Sequence, residues 1–153
     1  MALVTCLSSL ALAQSGKSEK KVAGGFEKLN LQQLMFPEAK QSSAILAKGK
    51  ELFMDNCVVC HGPSGGGDGP AAQAMPIKPR NYKKEKFKYG SSLVDIVNTI
   101  YVGRSELMPS FANAFKPKEV WALAHFVLSW VPSANRDPND RQKMQSWKPP
   151  QQK

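Results

Sequence analysis

The five residues Cys57-Val58-Val59-Cys60-His61 constrain this 153-residue chain more than any other stretch of it. They form the pattern C-x-x-C-H, in which two thiols lie one helical turn apart and are followed directly by an imidazole. Two thiols at this spacing can each add to a vinyl group on the same edge of a porphyrin, and the histidine then reaches the iron from one face. The pattern therefore predicts one covalently attached haem c, held by Cys57 and Cys60, with His61 as an iron ligand.

Other uses of a C-x-x-C pair agree less well with the rest of the chain. A zinc ribbon needs a second pair of Cys or His ligands, and the only other histidine is His125. A thioredoxin-type pair opens a helix that follows a strand, whereas this pair follows a segment with helical periodicity. The third cysteine, Cys6, lies in an apolar leader, so the body of the chain has no disulfide framework.

Three segments carry apolar residues at three- and four-residue spacing, which is typical of helices that bury one face. The predicted helices span residues 44–56, 93–102 and 117–130, and the Gly-, Pro- and Lys-rich stretches between them are predicted to be loops. Serine pairs before the first two segments are suited to N-caps, while Gly103 and Pro132 stop the second and third. No strand is predicted, so the sequence indicates an all-α fold.

The two ends of the chain differ in composition from its middle. Residues 1–13 are apolar and end in Ala-Leu-Ala, which is typical of a secretory signal peptide cleaved after Ala13. Residues 14–41 are predicted to be an arm or linker and residues 42–132 the folded domain. Residues 133–153 are predicted to be a polar, Pro-rich tail that is extended or disordered.

The leader indicates export to the periplasm. Two alternatives remain open: the N-terminus is retained as a short helix, or Cys6 is lipidated and anchors the chain to a membrane. No stretch of about 18 or more apolar residues occurs in the sequence, so no transmembrane segment is expected in the mature chain.

The chain is basic, with 21 Lys and Arg against 12 Asp and Glu and a formal net charge of +9. No helix-turn-helix, zinc-finger or RNA-recognition pattern accompanies this charge, so nucleic acid is not the expected partner. We expect redox partner proteins with an acidic docking face, although a solvated loop would explain the same residues. The basic residues concentrate in one segment, opposed only by Glu85: Lys78, Arg80, Lys83, Lys84, Lys86 and Lys88.

Taken together, these residues resemble class I c-type cytochromes, particularly bacterial monohaem domains with a Gly-Asp-Gly loop. The resemblance covers about residues 42–131 and implies three main helices and loops wrapped around one haem. It also implies that the first and last helices cross where Gly49 meets the side of the last helix that bears Phe126 and Trp130. The matching residues are Gly49, Phe53, the C-x-x-C-H motif with Gly62, Gly67-Asp68-Gly69-Pro70, Met108-Pro109-Ser110-Phe111 and the segment 119–127.

The second axial iron ligand is predicted to be Met108. A thioether in this position closes the iron to small molecules and raises its reduction potential. Met75 also precedes a proline but lies only 14 residues after His61, beyond a tight Gly-rich loop. Met108 follows His61 by 47 residues, ample chain to cross to the opposite haem face. Met75 and His125 are the alternatives, the latter giving two histidine ligands.

Further haem contacts are expected around these ligands. By the resemblance, the carbonyl of Pro70 is expected to accept the second N–H of His61. Arg80, Tyr82 and Arg104 are candidates to pair with haem propionates, or are simply exposed polar residues. Six apolar residues are predicted to contact the haem: Phe87, Leu93, Ile96, Ile100, Leu107 and Phe111.

The sequence thus predicts a single-electron carrier and not an enzyme, since iron changes oxidation state while no substrate bond is broken. The alternative is a haem-bearing subunit of a larger membrane or periplasmic oxidoreductase complex. The least favoured hypothesis is a haem enzyme or gas sensor with an open iron site. The chain is expected to be a monomer or one subunit of such a complex.

Overall fold

The computed structural model describes residues 41–148, so the expectations for the leader 1–13, for Cys6 and for nearly all of the arm lie outside the described residues. Within them, the chain forms helices joined by loops and one isolated bridge between Ser105 and Met108. The all-α prediction is confirmed for this part of the chain. The α-helices are α1 (Ser43–Asn56), α2 (Val58–His61), α3 (Leu93–Val102), α4 (Pro117–Trp130) and α5 (Asp140–Ser146), with 3₁₀ helices at Pro70–Ala74 and Ser133–Asn135.

Helix α1 begins where Ser42 satisfies a free backbone donor of the first turn. The Ser42 hydroxyl accepts a hydrogen bond from the N–H of Ile45 at 3.2 Å, and Ser42 itself has an extended backbone. At the other end, the N–H of Cys57 donates to the carbonyl of Phe53, and the chain passes directly into α2. The C-x-x-C-H motif is therefore attached to the end of α1 without an intervening loop.

Helices α1 and α4 cross at a point where their backbones touch. A Cβ atom on Gly49 would lie 2.1 Å from the carbonyl oxygen of Ala122 and 2.7 Å from Cβ of Phe126. Only a residue without a side chain permits this approach. The expected contact between Gly49 and Phe126 is confirmed, whereas Trp130 packs its ring against Phe53, with centroids 5.0 Å apart.

Helix α3 is capped at both ends. At its start the Ser92 hydroxyl accepts from the N–H of Asp95, and a carboxylate oxygen of Asp95 accepts from the N–H of Ser92. At its end Gly103 has φ 75°, and a Cβ there would lie 2.7 Å from the carbonyl oxygen of Met108. The loop that carries Met108 therefore folds back against the end of α3.

Helix α4 is buried over most of its length and forms the centre of the core. Pro117 occupies its first turn, and the N–H of Lys116 donates to a carboxylate oxygen of Glu119 at 2.8 Å. Its buried side chains pack between those of α1 and α3. The largest fully buried apolar side chains are Phe53, Val97, Val120, Leu123 and Val131.

The residues after α4 fold back onto α3 instead of extending away. The N–H of Leu93, at the start of α3, donates to Oδ1 of Asp140 at 2.7 Å. The indole N–H of Trp147 donates to Oδ1 of Asn98 at 2.8 Å, and its ring meets Trp121 edge-on at 5.4 Å. The expectation of an extended or disordered tail is therefore wrong for residues 133–148.

Lys143 adds two ion pairs to this C-terminal strap, the name used here for residues 133–148. Its ammonium lies 2.8 Å from a carboxylate oxygen of Asp95 and 2.7 Å from one of Asp137. The pair with Asp95 joins α5 to the capped start of α3, whereas Asp137 lies within the strap itself. Among the described helices, none combines the length and the apolar composition that crossing a membrane requires.

Candidate functional site

Helix α2 holds the two thiols and the imidazole of the motif in one turn. The N–H of His61 donates to the carbonyl of Cys57 at 2.9 Å, and the N–H of Gly62 donates to that of Val58 at 2.9 Å. Cys57 and Cys60 are half-buried, and they form no disulfide with each other. The spacing of one helical turn predicted from the sequence is the spacing that the structure has.

The Gly-rich loop after His61 wraps around the end of this helix. The N–H groups of Gly67 and Gly69 donate to the carbonyls of His61 and Cys60 at 2.9 and 3.1 Å. Gly67 has φ 73°, and a Cβ there would lie 2.2 Å from the carbonyl oxygen of Pro79. The loop thereby satisfies carbonyls that a helix end leaves free and fixes the orientation of α2.

A cavity of about 300 Å³ lies against the imidazole of His61 and the thiol of Cys60. Its walls are mostly apolar and come from α2, α3, α4 and the loops between them. Cys60 and His61 line the cavity together with two thioethers, whereas Cys57 packs against the hydrophobic core and is not in the lining. The thiols of a C-x-x-C-H turn and the imidazole beside them are the groups that hold covalent haem, and a thioether is a common second iron ligand. The lining includes Met75, Ile77, Tyr82, Phe87, Tyr89, Ile96, Ile100, Leu107, Met108 and Val127.

Most of the predicted haem contacts line this cavity, and two do not. Phe87, Ile96, Ile100 and Leu107 are in its walls. Leu93 is instead part of the core beneath the strap. The ring of Phe111 stacks on that of Phe115 with centroids 5.6 Å apart, away from the cavity lining. Helical spacing places Leu93 on a buried face of α3 but does not separate core from cofactor contacts, whereas Phe111 lies in the loop before α4, where no periodicity guides the prediction.

Both candidate thioethers reach the cavity. Met108 is held in a tight turn in which its N–H donates to the carbonyl of Ser105 at 3.0 Å and its carbonyl accepts from the N–H of Arg104 at 2.9 Å. Met75 directly follows the 3₁₀ helix Pro70–Ala74, which packs against α2. Met108 thus comes from a loop separate from His61, while Met75 lies beside the helix that bears His61. The choice of Met108 stays a prediction.

The imidazole of His61 has a defined partner on its Nδ1 atom. The hydroxyl oxygen of Tyr82 lies 2.8 Å from Nδ1, and the two rings stack with centroids 5.0 Å apart and an angle of 19°. The expectation that Pro70 would supply this partner is wrong. Tyr82 was a candidate for propionate binding only, because nothing in its Lys-rich surroundings signals that its side chain is 6% exposed.

Burial sets the protonation states of these groups. It lowers the pKa of His61 to about 4, against a smaller opposing effect of a hydrogen bond with the Arg80 backbone. The pKa of Cys57 rises to about 11, mainly through burial and secondly through the neighbouring Cys60, and burial raises the pKa of Tyr82 well above its usual range. At neutral pH the imidazole is therefore uncharged, as a metal ligand must be.

The rim of the cavity combines basic and exposed apolar side chains. Lys78, Arg80, Lys88 and Arg104 are in its lining. The Arg104 guanidinium lies over the ring of Tyr89 at 4.3 Å and donates to the hydroxyl of Thr99, while Arg80 pairs with Glu85. Three apolar side chains of the lining are exposed: Ile77, Tyr89 and Leu107.

His125 lies away from the cavity. Its side chain is 4% exposed in the middle of α4 and does not contribute to the cavity walls. Burial lowers its pKa, and the charge of Asp140 opposes this in part. Within residues 41–148, no three His, Cys, Asp or Glu side chains cluster as a metal site of that composition would require.

Comparisons with known proteins identify relatives of the described domain. The family model for cytochrome c matches residues 46–130. The cbb3-type cytochrome c oxidase subunit FixP of Bradyrhizobium diazoefficiens is 35% identical over 83 residues, which cover 54% of this chain and 27% of that protein. The thiosulfate dehydrogenase of Stutzerimonas stutzeri is 29% identical over 97 residues, covering 61% of this chain and 31% of that protein.

A solved structure has a similar fold. A chain of the reducing HAO-like protein complex of Kuenenia stuttgartiensis superposes with a TM-score of 0.57 and 34% sequence identity, covering 61% of this chain and 46% of that one. The matched region spans about a quarter to a third of the length of the curated relatives. The likeness to these proteins is thus a likeness of one domain.

Proposed function

The chain belongs to the cytochrome c family, whose members bind haem c covalently, and from this premise we propose that it is a single-electron carrier. Cys57 and Cys60 hold the haem through thioether bonds, and His61 and Met108 are the axial iron ligands. The observation that carries the proposal is the cavity between α2 and the Met108 loop, with an uncharged imidazole in one wall.

The residues of the chain prepare this site for fast electron transfer. The bound haem supplies a one-electron couple, and the protein determines its ligands and its surroundings. Hydrogen bonds to the carbonyls of Cys60 and His61 fix the turn that holds the thiols and the imidazole. Ile96, Ile100 and Val127 contribute apolar walls to the cavity, and apolar surroundings keep the reorganisation that accompanies a change in the charge of the iron small.

A redox titration tests the carrier function. The protein is produced in a host that matures c-type cytochromes, and its haem absorption is followed while a mediator mixture sets the potential. We expect one reversible transition with a slope of one electron. A variant with Cys57→Ala and Cys60→Ala serves as the control and is expected to lack the transition. A wild-type protein whose haem cannot be reduced and reoxidised reversibly would contradict the proposal.

The basic rim supports a partner with an acidic docking face. The exposed Lys83, Lys84 and Lys86 follow the lining residues Lys78 and Arg80 along the chain and precede the lining residue Lys88. Complementary charge accelerates encounter and orients the partner, while Ile77 and Leu107 offer exposed apolar area at the same rim. The proposed docking surface consists of these residues around the cavity mouth.

Membership of a larger complex is the second candidate. It is favoured by relatives that are named as subunits of oxidases and by a structural relative that belongs to a protein complex. Size-exclusion chromatography of native extract distinguishes the two states, with haem absorbance as the readout. A free carrier elutes at the size of a monomer, whereas a subunit elutes with its partners.

Export to the periplasm is proposed on the composition of the first residues. The apolar segment ending in Ala-Leu-Ala is typical of a cleaved leader. Cell fractionation followed by N-terminal sequencing tests this: a haem protein in the periplasmic fraction that begins after Ala13 agrees with it. Recovery in the membrane fraction would favour lipidation at Cys6 or a retained N-terminus.

A further inference from the structure

The hydroxyl of Tyr82 lies beside the imidazole of the motif. It lies 2.8 Å from His61 Nδ1, within the range of a good hydrogen bond. The two rings are nearly parallel, with an angle of 19°. A hydroxyl in this position contacts the ring nitrogen that faces away from a metal bound at Nε2.

The structure holds Tyr82 in this position from several sides. Its ring is also nearly parallel to those of Phe87 and Trp130, with centroids 5.6 and 6.1 Å away and angles of 19° and 15°. Its backbone N–H donates to the carbonyl of Gly65 at 2.9 Å. The phenol is therefore packed into the core and has little freedom to move its hydroxyl away from the imidazole.

We propose that Tyr82 is a positioning residue for His61 and lowers the reduction potential of the bound haem through its hydrogen bond to Nδ1. This inference rests on the proposed function, because it takes His61 as the iron ligand. Coordination through Nε2 leaves the ring proton on Nδ1, so Nδ1–H donates to the oxygen of Tyr82. A hydrogen bond at this nitrogen raises the basicity of the ligand, and a more basic ligand stabilises ferric over ferrous iron.

The role of this hydrogen bond can be tested by removing a single atom. Tyr82→Phe keeps the three stacked rings and deletes only the oxygen. The substitution thus tests the hydrogen bond separately from the packing.

The potential of Tyr82→Phe in the haem-loaded protein is the deciding measurement. We expect the ratio of reduced to oxidised protein in a fixed redox buffer to rise about threefold to tenfold, which corresponds to about 28 to 59 mV at 59 mV per decade for one electron. Tyr101→Phe is the matched control. That tyrosine lies on α3 outside the lining of the cavity, and loss of its hydroxyl is expected to leave the potential unchanged.

A measurement on the wild-type protein covers the case in which Tyr82→Phe does not fold. In the NMR spectrum of the ferrous protein, the Nδ1 proton of His61 is expected to show a nuclear Overhauser effect to the ring protons of Tyr82. Absence of this effect overturns the inference, as does an unchanged or lowered potential in a folded Tyr82→Phe protein.

The two possible failures are distinguishable. A chain that matures without covalent haem, or whose haem keeps its iron ligands after His61→Ala, contradicts the proposed function itself. A haem protein with His61 on the iron and a potential that does not respond to Tyr82→Phe contradicts the role of Tyr82 alone.

Discussion

Among single residues, Met108 has the largest consequence for what the carrier can do, because a thioether at the second axial position closes the iron to small molecules. Met108→Ala is expected to lower the reduction potential and to let the ferrous protein bind one carbon monoxide per haem at neutral pH. Carbon monoxide difference spectra measure this directly. Met75→Ala is the matched control, since Met75 lines the same cavity and its loss is expected to leave the iron closed.

The opposite pattern would reassign the ligand. If Met75→Ala binds carbon monoxide and Met108→Ala does not, Met75 is the axial ligand and the argument from chain length is wrong. If the wild-type protein already binds carbon monoxide rapidly, the iron site is open, and this result would favour a haem enzyme or gas sensor over an electron carrier.

His125 is expected to make stability depend on pH. Burial depresses its pKa below the ordinary 6.5, so between that value and its lower folded pKa the unfolded chain binds a proton that the folded chain does not. Stability is therefore full above pH 6.5 and is lost as the pH falls, by at most about 1.4 kcal/mol per pH unit for one group. The Asp140 carboxylate moderates the loss, because its charge favours the protonated imidazole.

Denaturant unfolding of the haem protein at pH 7 and pH 5 tests this dependence. The wild type is expected to lose more stability between the two values than His125→Gln, which cannot take up the proton. His61 is unchanged in both proteins and so contributes equally to both. Equal losses in the two proteins would show that His125 does not govern the pH response.

The residues of the site differ in whether their neighbours in sequence are enough to predict their role. Cys57, Cys60 and His61 follow from their spacing alone, because the chemistry of attachment requires that spacing. Tyr82 was missed as the partner of His61, since its contact joins residues 21 positions apart and its neighbours in sequence are mostly basic. Local sequence gave no indication that this one aromatic side chain turns inward.

At the scale of helices, local signals determined the bounds well. The predicted segments 93–102 and 117–130 coincide with α3 and α4, and the first helix begins one residue earlier than predicted. Each of these helix ends is marked by a residue within one turn of it, namely a serine cap, Gly103 or Pro117. Such residues can be recognised without knowledge of the fold. The sequence therefore predicted the three main helices of the domain closely.

The C-terminal strap could not be predicted in the same way. Its contacts with α3 join residues 47 to 49 positions apart, such as Leu93 with Asp140 and Asn98 with Trp147. The composition of the segment is polar and Pro-rich, which favours an extended chain when considered alone. The groups that bind these residues lie on α3, so the sequence of the tail alone does not reveal them.

The strap is expected to stabilise the domain measurably. Trp147→Ala removes the hydrogen bond to Asn98 and the edge contact with Trp121, and is expected to lower the free energy of unfolding by about 1 to 3 kcal/mol for this half-buried ring. Denaturant unfolding followed by haem absorbance measures the change. Gln145→Ala, at an exposed position of α5, is the control and is expected to stay within about 0.5 kcal/mol of the wild type.

A Trp147→Ala protein as stable as this control would contradict the packing of the strap. It would mean that the fold-back of residues 133–148 contributes nothing to the core, and that the domain is complete at the end of α4.

At the scale of the whole molecule, the distribution of charge is expected to control association. The net charge of +9 is concentrated partly at the cavity mouth, so an anionic oxidant is drawn to the haem edge and a cationic one is repelled. We expect the rate of oxidation by hexacyanoferrate(III) to fall as salt is added, and the rate with a cationic cobalt(III) hexaammine complex to rise. Stopped-flow absorbance at several ionic strengths measures both rates.

Charge-matched variants locate the effect on the surface. Replacing Lys83, Lys84 and Lys86 by Gln is expected to flatten the salt dependence. The same change at Lys50 of α1, Lys118 of α4 and Lys148 alters the net charge equally but lies outside the basic segment 78–88, which contributes Lys78, Arg80 and Lys88 to the cavity lining, and is expected to leave most of the dependence in place. Two triple variants with the same response would show that net charge acts without a defined docking surface.

The most direct test of the central claim is the intact mass of the purified chain after denaturation. Produced in a host that matures c-type cytochromes, the wild-type protein is expected to carry the mass of one haem beyond its polypeptide and to keep its colour in acidified acetone. The variant with Cys57→Ala and Cys60→Ala is expected to have the mass of the polypeptide alone. A colourless wild-type chain, or one that releases its pigment into the solvent, would contradict covalent attachment and with it the electron-carrier function.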